Sequence, residues 1–279
     1  GSSMADYRIG FKWWALIIAV VFVISELVCV ACVPERPVAC DEKPGKISDM
    51  FKALFKNDQA MTVVVSIILV YTSLNICGNL VLYFFRFDVG NEGAYSIFAA
   101  VAFAAQVLVM MVIPLLRKRF SKSQLFISGF IIQIAGFAVI LIMAFAKLYT
   151  PQSWYILCLP GILIYLGYGM LNVIMTIFLS DSVDYGEVMN GTREESVIFS
   201  MQTFTVKLAS GVAVFLAGLV VDWIHLDTAA AVQTQDTLDA LRMWMTIPSV
   251  ILLIVGIFVF KRFYKLDDTR MEEIKSKLN

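Results

Sequence analysis

Lys207 is the residue best placed to do chemistry in this sequence of 279 residues, because it lies in the middle of a long apolar run. An ammonium group in membrane hydrocarbon costs at least about 3 kcal/mol unless it faces protein or water. Ser200, Thr203 and Ser210 recur around it at steps of three and four, which places all four residues on one face of a helix. This face is typical of a wet cavity. The alternative is a structural lysine paired with a neighbouring helix or reaching toward the membrane surface.

Two further apolar runs carry polar residues at helical spacing. They are Thr72, Asn75, Asn79 and Tyr83 in one run, and Tyr165, Tyr168, Asn172 and Thr176 in the other. Hydroxyl, amide and phenol groups in this arrangement suit the binding of a hydroxylated solute, and hydrogen bonding between helices is the alternative role. Together with the Lys207 face, these stripes predict a polar cavity for a small solute.

A short charged segment follows the second of these runs, with five acidic residues and one arginine within about fifteen positions. The candidate residues are Asp181, Asp184, Tyr185, Glu187, Arg193 and Glu195. Charges at this density can form and break ion pairs as two parts of a helical bundle approach and separate, which is what a gate requires. The alternative is a solvated loop whose ion pairs contribute little to stability.

The elements that must position these residues are membrane-spanning helices. The chain is 59% apolar and 16% charged, with a mean hydropathy of +0.80, which excludes a water-soluble domain. Seven runs are long enough to cross about 30 Å of hydrocarbon at about 1.5 Å per residue. They are approximately 13–33, 61–85, 94–116, 124–146, 155–179, 197–221 and 243–260. Because backbone groups cannot stay unpaired in lipid, the prediction is an all-α, polytopic membrane helical bundle.

Lysine and arginine concentrate in segments 34–60 and 117–123 and in the tail after residue 260, and they are few in the other connections. Positive residues beside spans stay cytoplasmic, so we expect the C-terminus to face the cytoplasm of a cell (inner) membrane. Seven spans then place the N-terminus outside, although Arg8 and Lys12 precede the first span. This conflict predicts that the natural chain has further spans before Gly1.

Three strings in the charged segment and the following run carry a resemblance. Asp-x-x-Asp-Tyr-Gly-Glu at 181–187, Arg-x-Glu-Ser at 193–196 and Gln-Thr-x-x-x-Lys at 202–207 resemble the loop and eleventh helix of the glycoside-pentoside-hexuronide cation symporters. The resemblance implies the major facilitator fold, with twelve spans in two six-helix halves, of which this chain matches helices six to twelve. Residues 1–33 would then be the last helix of the N-terminal half, and 34–60 the central cytoplasmic loop. Residues 61–260 would be the six-helix C-terminal half, and 261–279 a cytoplasmic tail.

The resemblance also implies roles for individual residues. Lys207 and Thr203 match positions near the coupling-cation site, with Thr203 as a possible Na⁺ ligand in an incomplete metal site, and Gln202 matches a position close to the sugar. Tyr168, Asn172, Asn75 and Asn79 complete the expected cavity, while the charged segment serves a cytoplasmic gate. The melibiose carriers of that family have a Trp at the position of Asn172, which puts galactoside specificity in doubt.

The function implied is part of a sugar or glycoside symporter driven by Na⁺ or H⁺, with no other cofactor and with the N-terminal half as a missing partner. In the family the carboxylates that hold the cation lie in that half, so we do not expect coupled transport by this chain alone. Two alternatives are a non-transporting membrane scaffold and a seven-helix receptor. The receptor is disfavoured because the lysine lies in the sixth span and Arg117-Lys118-Arg119 closes the third.

Two further function classes are not expected. The sequence shows no nucleophile and base pair, metal cluster or phosphate loop, so it is not read as an enzyme. Basic and acidic residues balance at 22 each, which gives no reason to expect a nucleic-acid partner. The expected partners are a small sugar or glycoside and the lipid bilayer.

Overall fold

The computed structural model describes residues 4–32, 55–191, 193 and 195–278, and every regular element in these ranges is a helix. Most of the expected central loop, residues 34–60, therefore lies outside the described residues. The chain divides into two units, Gly1–Gly45 and Lys46–Asn279. The first unit contains helix α1, Met4–Cys32, of which Ile9–Cys32 is long and apolar enough to cross a membrane.

Seven α-helices of the second unit have bounds within the described residues. They are α2 (Asp58–Tyr83), α3 (Ala94–Leu116), α4 (Lys122–Phe145), α5 (Cys158–Asn190), α6 (Glu195–Trp223), α7 (Gln235–Phe263) and α8 (Asp268–Leu278). A π-helical turn, Phe84–Asp88, extends α2, and a 3₁₀ turn, Trp154–Leu157, precedes α5. Within the described ranges, seven helices, α1 to α7, are long and apolar enough to span a membrane. The prediction of an all-α polytopic bundle is confirmed.

Helix α5 is the centre of the second unit, because α3 and α4 both pack on it while α2 packs on α5, α6 and α7. Glycines set the distance between α4 and α5. A Cβ atom added at Gly167 of α5 would lie 2.5 Å from the carbonyl oxygen of Gly129 and 2.6 Å from the backbone nitrogen of Gln133. These two helices therefore touch backbone to backbone, an approach that membrane helices achieve with small residues.

Aromatic side chains fill the space between α4, α5 and α7 near one end of the bundle. Phe126 lies 4.5 Å from Phe260 and 5.1 Å from Phe178 between ring centroids, and Tyr264 stacks on Phe260 at 4.7 Å. Such contacts add to the burial energy of each ring. They make these three helices one packed layer behind the surface formed by α2 and α6.

The short helix α8 lies against the same end of the bundle. Leu266, Met271 and Ile274 form a small buried cluster, against which Tyr185 and Val188 of α5 pack. The tail is therefore docked on α5 by apolar contacts, and it brings Asp268 to the foot of α4.

Candidate functional site

A continuous polar surface joins α2, α5 and α6. The side-chain amide of Asn172 donates a hydrogen bond to the Tyr71 hydroxyl, and the rings of Tyr71 and Tyr168 meet edge to face at 5.5 Å between centroids. One turn further along α2, Asn75 lies beside Ser210 of α6, with 3.5 Å between Oδ1 and Oγ. The predicted polar stripes of α2 and α5 are thus brought together, and Ser210 of the α6 stripe joins them.

The predicted cavity residues on α2 need one adjustment. Tyr71 contributes to the polar surface, whereas Thr72 is buried and its Oγ1 has no hydrogen-bond partner in the described part of the chain. Asn79 is half-buried, and its amide donates to the Asn75 carbonyl oxygen at 2.7 Å. The sequence pattern alone could not separate Tyr71 from Thr72, because adjacent helical residues differ by only about 100° around the axis.

Helix α6 packs on α2 with its small residues, including Ala209 and Ala213, and leaves Thr203 and Lys207 exposed, with Gln202 half-buried. The Lys207 ammonium forms no ion pair with any other residue that the structure describes. The Thr203 hydroxyl donates to the Phe199 carbonyl oxygen at 3.3 Å, so its own lone pairs stay free to accept. The roles of Lys207, Thr203 and Gln202 remain predictions.

No group of three or more His, Cys, Asp or Glu side chains among the residues described could hold a metal ion. A single hydroxyl such as that of Thr203 supplies one ligand, whereas hard cations bind several oxygen atoms. Any cation site that uses Thr203 therefore needs ligands from elsewhere.

Four of the predicted gate residues form one cluster around Arg193. Its Nη1 lies 2.8 Å from Glu187 Oε2 and 3.1 Å from Asp184 Oδ1, and its Nε lies 3.1 Å from Glu195 Oε2. The hydrogen bond that Arg193 donates to Glu187 outweighs the lowering effect of burial and, with those to Glu195 and Asp184, raises the pKa of Arg193 above its ordinary value. The cluster lies between the end of α5 and the start of α6, and the Arg193 side chain is 47% exposed.

The other two predicted gate residues lie elsewhere. Asp181 is buried and ion-paired with buried Lys122 at the start of α4. Asp268 of the tail lies 3.4 Å from Lys122 Nζ and 3.3 Å from Arg117 Nη2. Burial alone would raise the pKa of Asp268, but Lys122 and then Arg117 hold it below its ordinary value. Tyr185 packs against the tail helix instead of joining the Arg193 cluster.

A further cluster, missed by sequence reasoning, lies at the opposite ends of these helices. Arg242 of α7 binds Asp88 of the π turn through two nitrogens and lies 2.6 Å from Asp239. Tyr149, in the connection between α4 and α5, donates to Asp88 at 2.6 Å. The only signal in the sequence was a single arginine at the edge of the last apolar run.

Residues 2–268 match the family model described as "MFS/sugar transport protein". The chain is 25% identical over 254 residues to an uncharacterized symporter of Bacillus subtilis (strain 168), covering 90% of this chain and 54% of that protein. It is 24% identical over 284 residues to the raffinose carrier protein of Pediococcus pentosaceus, covering 99% and 43%. It is 25% identical over 270 residues to the isoprimeverose transporter of Lactiplantibacillus pentosus, covering 96% and 54%.

The chain spans about half the length of these relatives. The family consists of transporters, which confirms the prediction of a non-enzyme and removes the receptor alternative. The resemblance to the glycoside-pentoside-hexuronide symporters is likewise confirmed. Because the match covers nearly all of its residues, this chain belongs to the MFS/sugar transport family.

Proposed function

We propose that this chain provides the C-terminal half of a sugar:cation symporter that works by alternating access. The observation that carries the proposal is the polar surface shared by α2, α5 and α6 in a chain of a sugar transport family. Some of these groups bond one another or their own helix, and their remaining donors and acceptors can bind a solute. A sugar supplies the hydroxyl groups that such a surface can bind.

In this proposal the sugar binds against Asn172, Asn75 and Asn79, with Gln202 nearby and the largely buried Tyr168 at the base of the surface. The amides and phenols donate to and accept from sugar hydroxyls, while the faces of the tyrosine rings can cover its C–H surface. The Asn172 amide is already oriented by the Tyr71 hydroxyl, so it presents its carbonyl oxygen as an acceptor. Galactoside specificity is not proposed, because Asn172 offers no ring for a galactose to pack on.

Lys207 and Thr203 serve the coupling cation, either Na⁺ or H⁺. An exposed ammonium within a membrane span needs carboxylates or water around it. We propose that carboxylates from a second six-helix bundle neutralise Lys207 and, with Thr203, complete the cation site. The relatives are about twice as long as this chain, which supports a second bundle. In that arrangement 1–33 is the last helix of the other half, 34–60 the central cytoplasmic loop, 61–260 the C-terminal half and 261–279 the tail.

The cytoplasmic gate is proposed to use the Arg193 cluster. Its ion pairs are exposed and individually weak, so they can exchange partners when the two halves separate on that side. The distribution of Lys and Arg supports a cytoplasmic position for this end of the bundle and for the C-terminus in a cell inner membrane.

Uptake of labelled sugars tests the proposal. The chain is expressed alone and in its full gene context, with β-glycosides, galactosides, pentosides and hexuronides supplied under Na⁺ or H⁺ gradients. We expect uptake in the full gene context, abolished by Lys207→Ala and weakened by Asn172→Ala. Lys261→Ala is the control, since it removes another exposed lysine outside the proposed cavity. Absence of uptake by a membrane-inserted protein in both contexts would favour a non-transporting scaffold.

A further inference from the structure

A cleft of about 500 Å³ lies between α3 and α4, over the surface of α5. Leu116 at the end of α3 forms one wall, Leu125 and Ile132 of α4 form the other, and Met170 of α5 forms the floor. The opening exists because α3 and α4 each pack on α5 rather than on one another. The lining is apolar apart from Gln124 and Ser128.

The exposed surface beside the cleft is apolar. Leu108, Met111 and Leu115 of α3 are all exposed, as expected for side chains that face lipid. A cleft in such a surface is filled by hydrocarbon when the chain is in a membrane. Its volume is of the order of one acyl chain.

Two cations without ion pairs in the described residues directly precede a residue that lines this cleft. Phe120, which lines it, directly follows Lys118 and Arg119, and both cations are exposed. Neither forms an ion pair with another residue in the ranges that the structure covers, whereas Arg117 is bound by Asp268. The Asp268 carboxylate is therefore already engaged and does not neutralise the other two cations.

The local charge balance is positive. Four cations, at 117, 118, 119 and 122, stand at this corner, against the two carboxylates that pair there, Asp181 and Asp268. Helix α4 begins at the same corner, with Ser121 as N-cap and Gln124 completing a capping box, so its positive dipole end adds to the field. The Oε1 of Gln124 accepts from the Ser121 amide, which leaves the Gln124 side-chain N–H groups to donate elsewhere.

We propose that this corner binds an acidic phospholipid, with its phosphodiester headgroup on Lys118 and Arg119 and one acyl chain in the cleft. Charge selects the headgroup, because a zwitterionic lipid gains much less from unpaired cations at a membrane surface. The apolar walls hold the acyl chain of the lipid. A basic loop without such a cleft would bind only the headgroup. The inference goes beyond the proposed transport function and does not depend on it.

A second cleft in the same unit serves as an internal comparison. It has about 570 Å³ between α6 and α7 and is lined by apolar side chains such as Leu216, Trp244 and Ile251. The nearest arginine in sequence, Arg242, is buried in its ion pair with Asp88. This cleft should accept an acyl chain without regard to headgroup charge.

Native mass spectrometry of the purified, delipidated chain tests the proposal. Phosphatidylglycerol and phosphatidylcholine with identical acyl chains are titrated separately. We expect at least one phosphatidylglycerol to bind about tenfold to thirtyfold more tightly than phosphatidylcholine, and Lys118→Ala/Arg119→Ala to remove that preference. Lys261→Ala/Arg262→Ala is the matched control, because it removes two exposed cations at the end of α7, whereas Lys118 and Arg119 directly precede the cleft residue Phe120. It should keep the preference.

The variant Ser128→Phe probes the acyl-chain part, because it fills the cleft without changing charge. It should weaken phosphatidylglycerol binding at this site while leaving the weaker, charge-independent binding in place. Equal affinities for the two lipids, or loss of the preference only in the 261/262 variant, would overturn the proposal. The measurement is made in detergent without a gradient, so its failure is independent of a failure of sugar uptake.

Discussion

Replacing Arg242 by methionine should destabilise the protein far more than the loss of any exposed charge in the bundle. The Arg242 and Asp88 side chains are only 4% and 3% exposed. The guanidinium binds both oxygens of Asp88 and so joins α7 to the π turn that ends α2. Removing one partner of a buried pair leaves the other charge uncompensated, at a cost of about 3–5 kcal/mol. Tyr149 still donates to Asp88, so we expect the lower end of this range.

Substitutions of the residues around the Asp88–Arg242 pair give a scale for this loss of stability. The Asp239 side chain is 36% exposed, so Asp239→Asn should cost less than about 1 kcal/mol. Tyr149→Phe removes one hydrogen bond to a charged acceptor and should cost about 1.5–3 kcal/mol. The double variant Asp88→Leu/Arg242→Met removes both buried charges together, and it should be markedly more stable than Arg242→Met alone.

The assay is reversible unfolding of the purified chain in mixed micelles. Asp88→Leu, Arg242→Met and the double variant together form a double-mutant cycle. We expect a coupling energy above about 2 kcal/mol between positions 88 and 242. The reasoning is refuted if Arg242→Met costs no more than Asp239→Asn, or if the costs of the two single variants simply add.

Three other outcomes are expected. Gly167→Ala should lower thermal stability sharply, because the added Cβ atom meets the backbone of α4. Gly218→Ala should be neutral or slightly stabilising, because its added Cβ atom has no neighbouring atom within 4 Å. Similar shifts in both variants would contradict this. Arg193→Gln should change the stability of the isolated chain by less than about 1 kcal/mol, and that change should shrink at high salt, because its pairs are exposed; a large, salt-independent loss would argue for a buried role. The lowered pKa of Asp268 means that docking of the tail is fully supported above the ordinary carboxylate range and is lost as pH falls through the depressed value. Proteolysis of the tail should therefore rise only in strong acid, and Asp268→Asn should remove this dependence.

The number of spans could be predicted because each run is long and nearly free of charge, but the helix ends could not. Helix α5 continues to Asn190, eleven residues past the predicted end at 179, and α7 begins at Gln235 rather than near 243. Hydropathy reports only the part of a helix inside hydrocarbon. The helix itself continues through polar residues until a local signal ends it, here Gly191 in a left-handed conformation with φ of 73°.

Clusters were predictable where their members are close in sequence. Arg193 lies within nine residues of Asp184 and Glu187, so their association followed from the spacing. Asp181 was assigned to the same gate, yet it pairs with Lys122 at a separation of 59 residues. Asp88 and Arg242 are 154 residues apart, and Asp88 lies in the π turn that ends α2. One sequence contains no pairing information over such distances, and nothing in its periodicity predicts a π turn.

In the proposed alternating-access cycle, buried ion pairs suit contacts that persist within one half, and exposed ion pairs suit contacts that exchange. Asp88 with Arg242, and Asp181 with Lys122, are buried at opposite ends of the unit and cost several kcal/mol to break. The Arg193 pairs are partly exposed and cost little. A half-bundle that moves as one body needs the first kind to hold its own helices together and the second kind where its contacts with another body change. Within the proposal, the Arg193 cluster is therefore better suited than the Lys122–Asp181 pair to exchange partners when the gate opens.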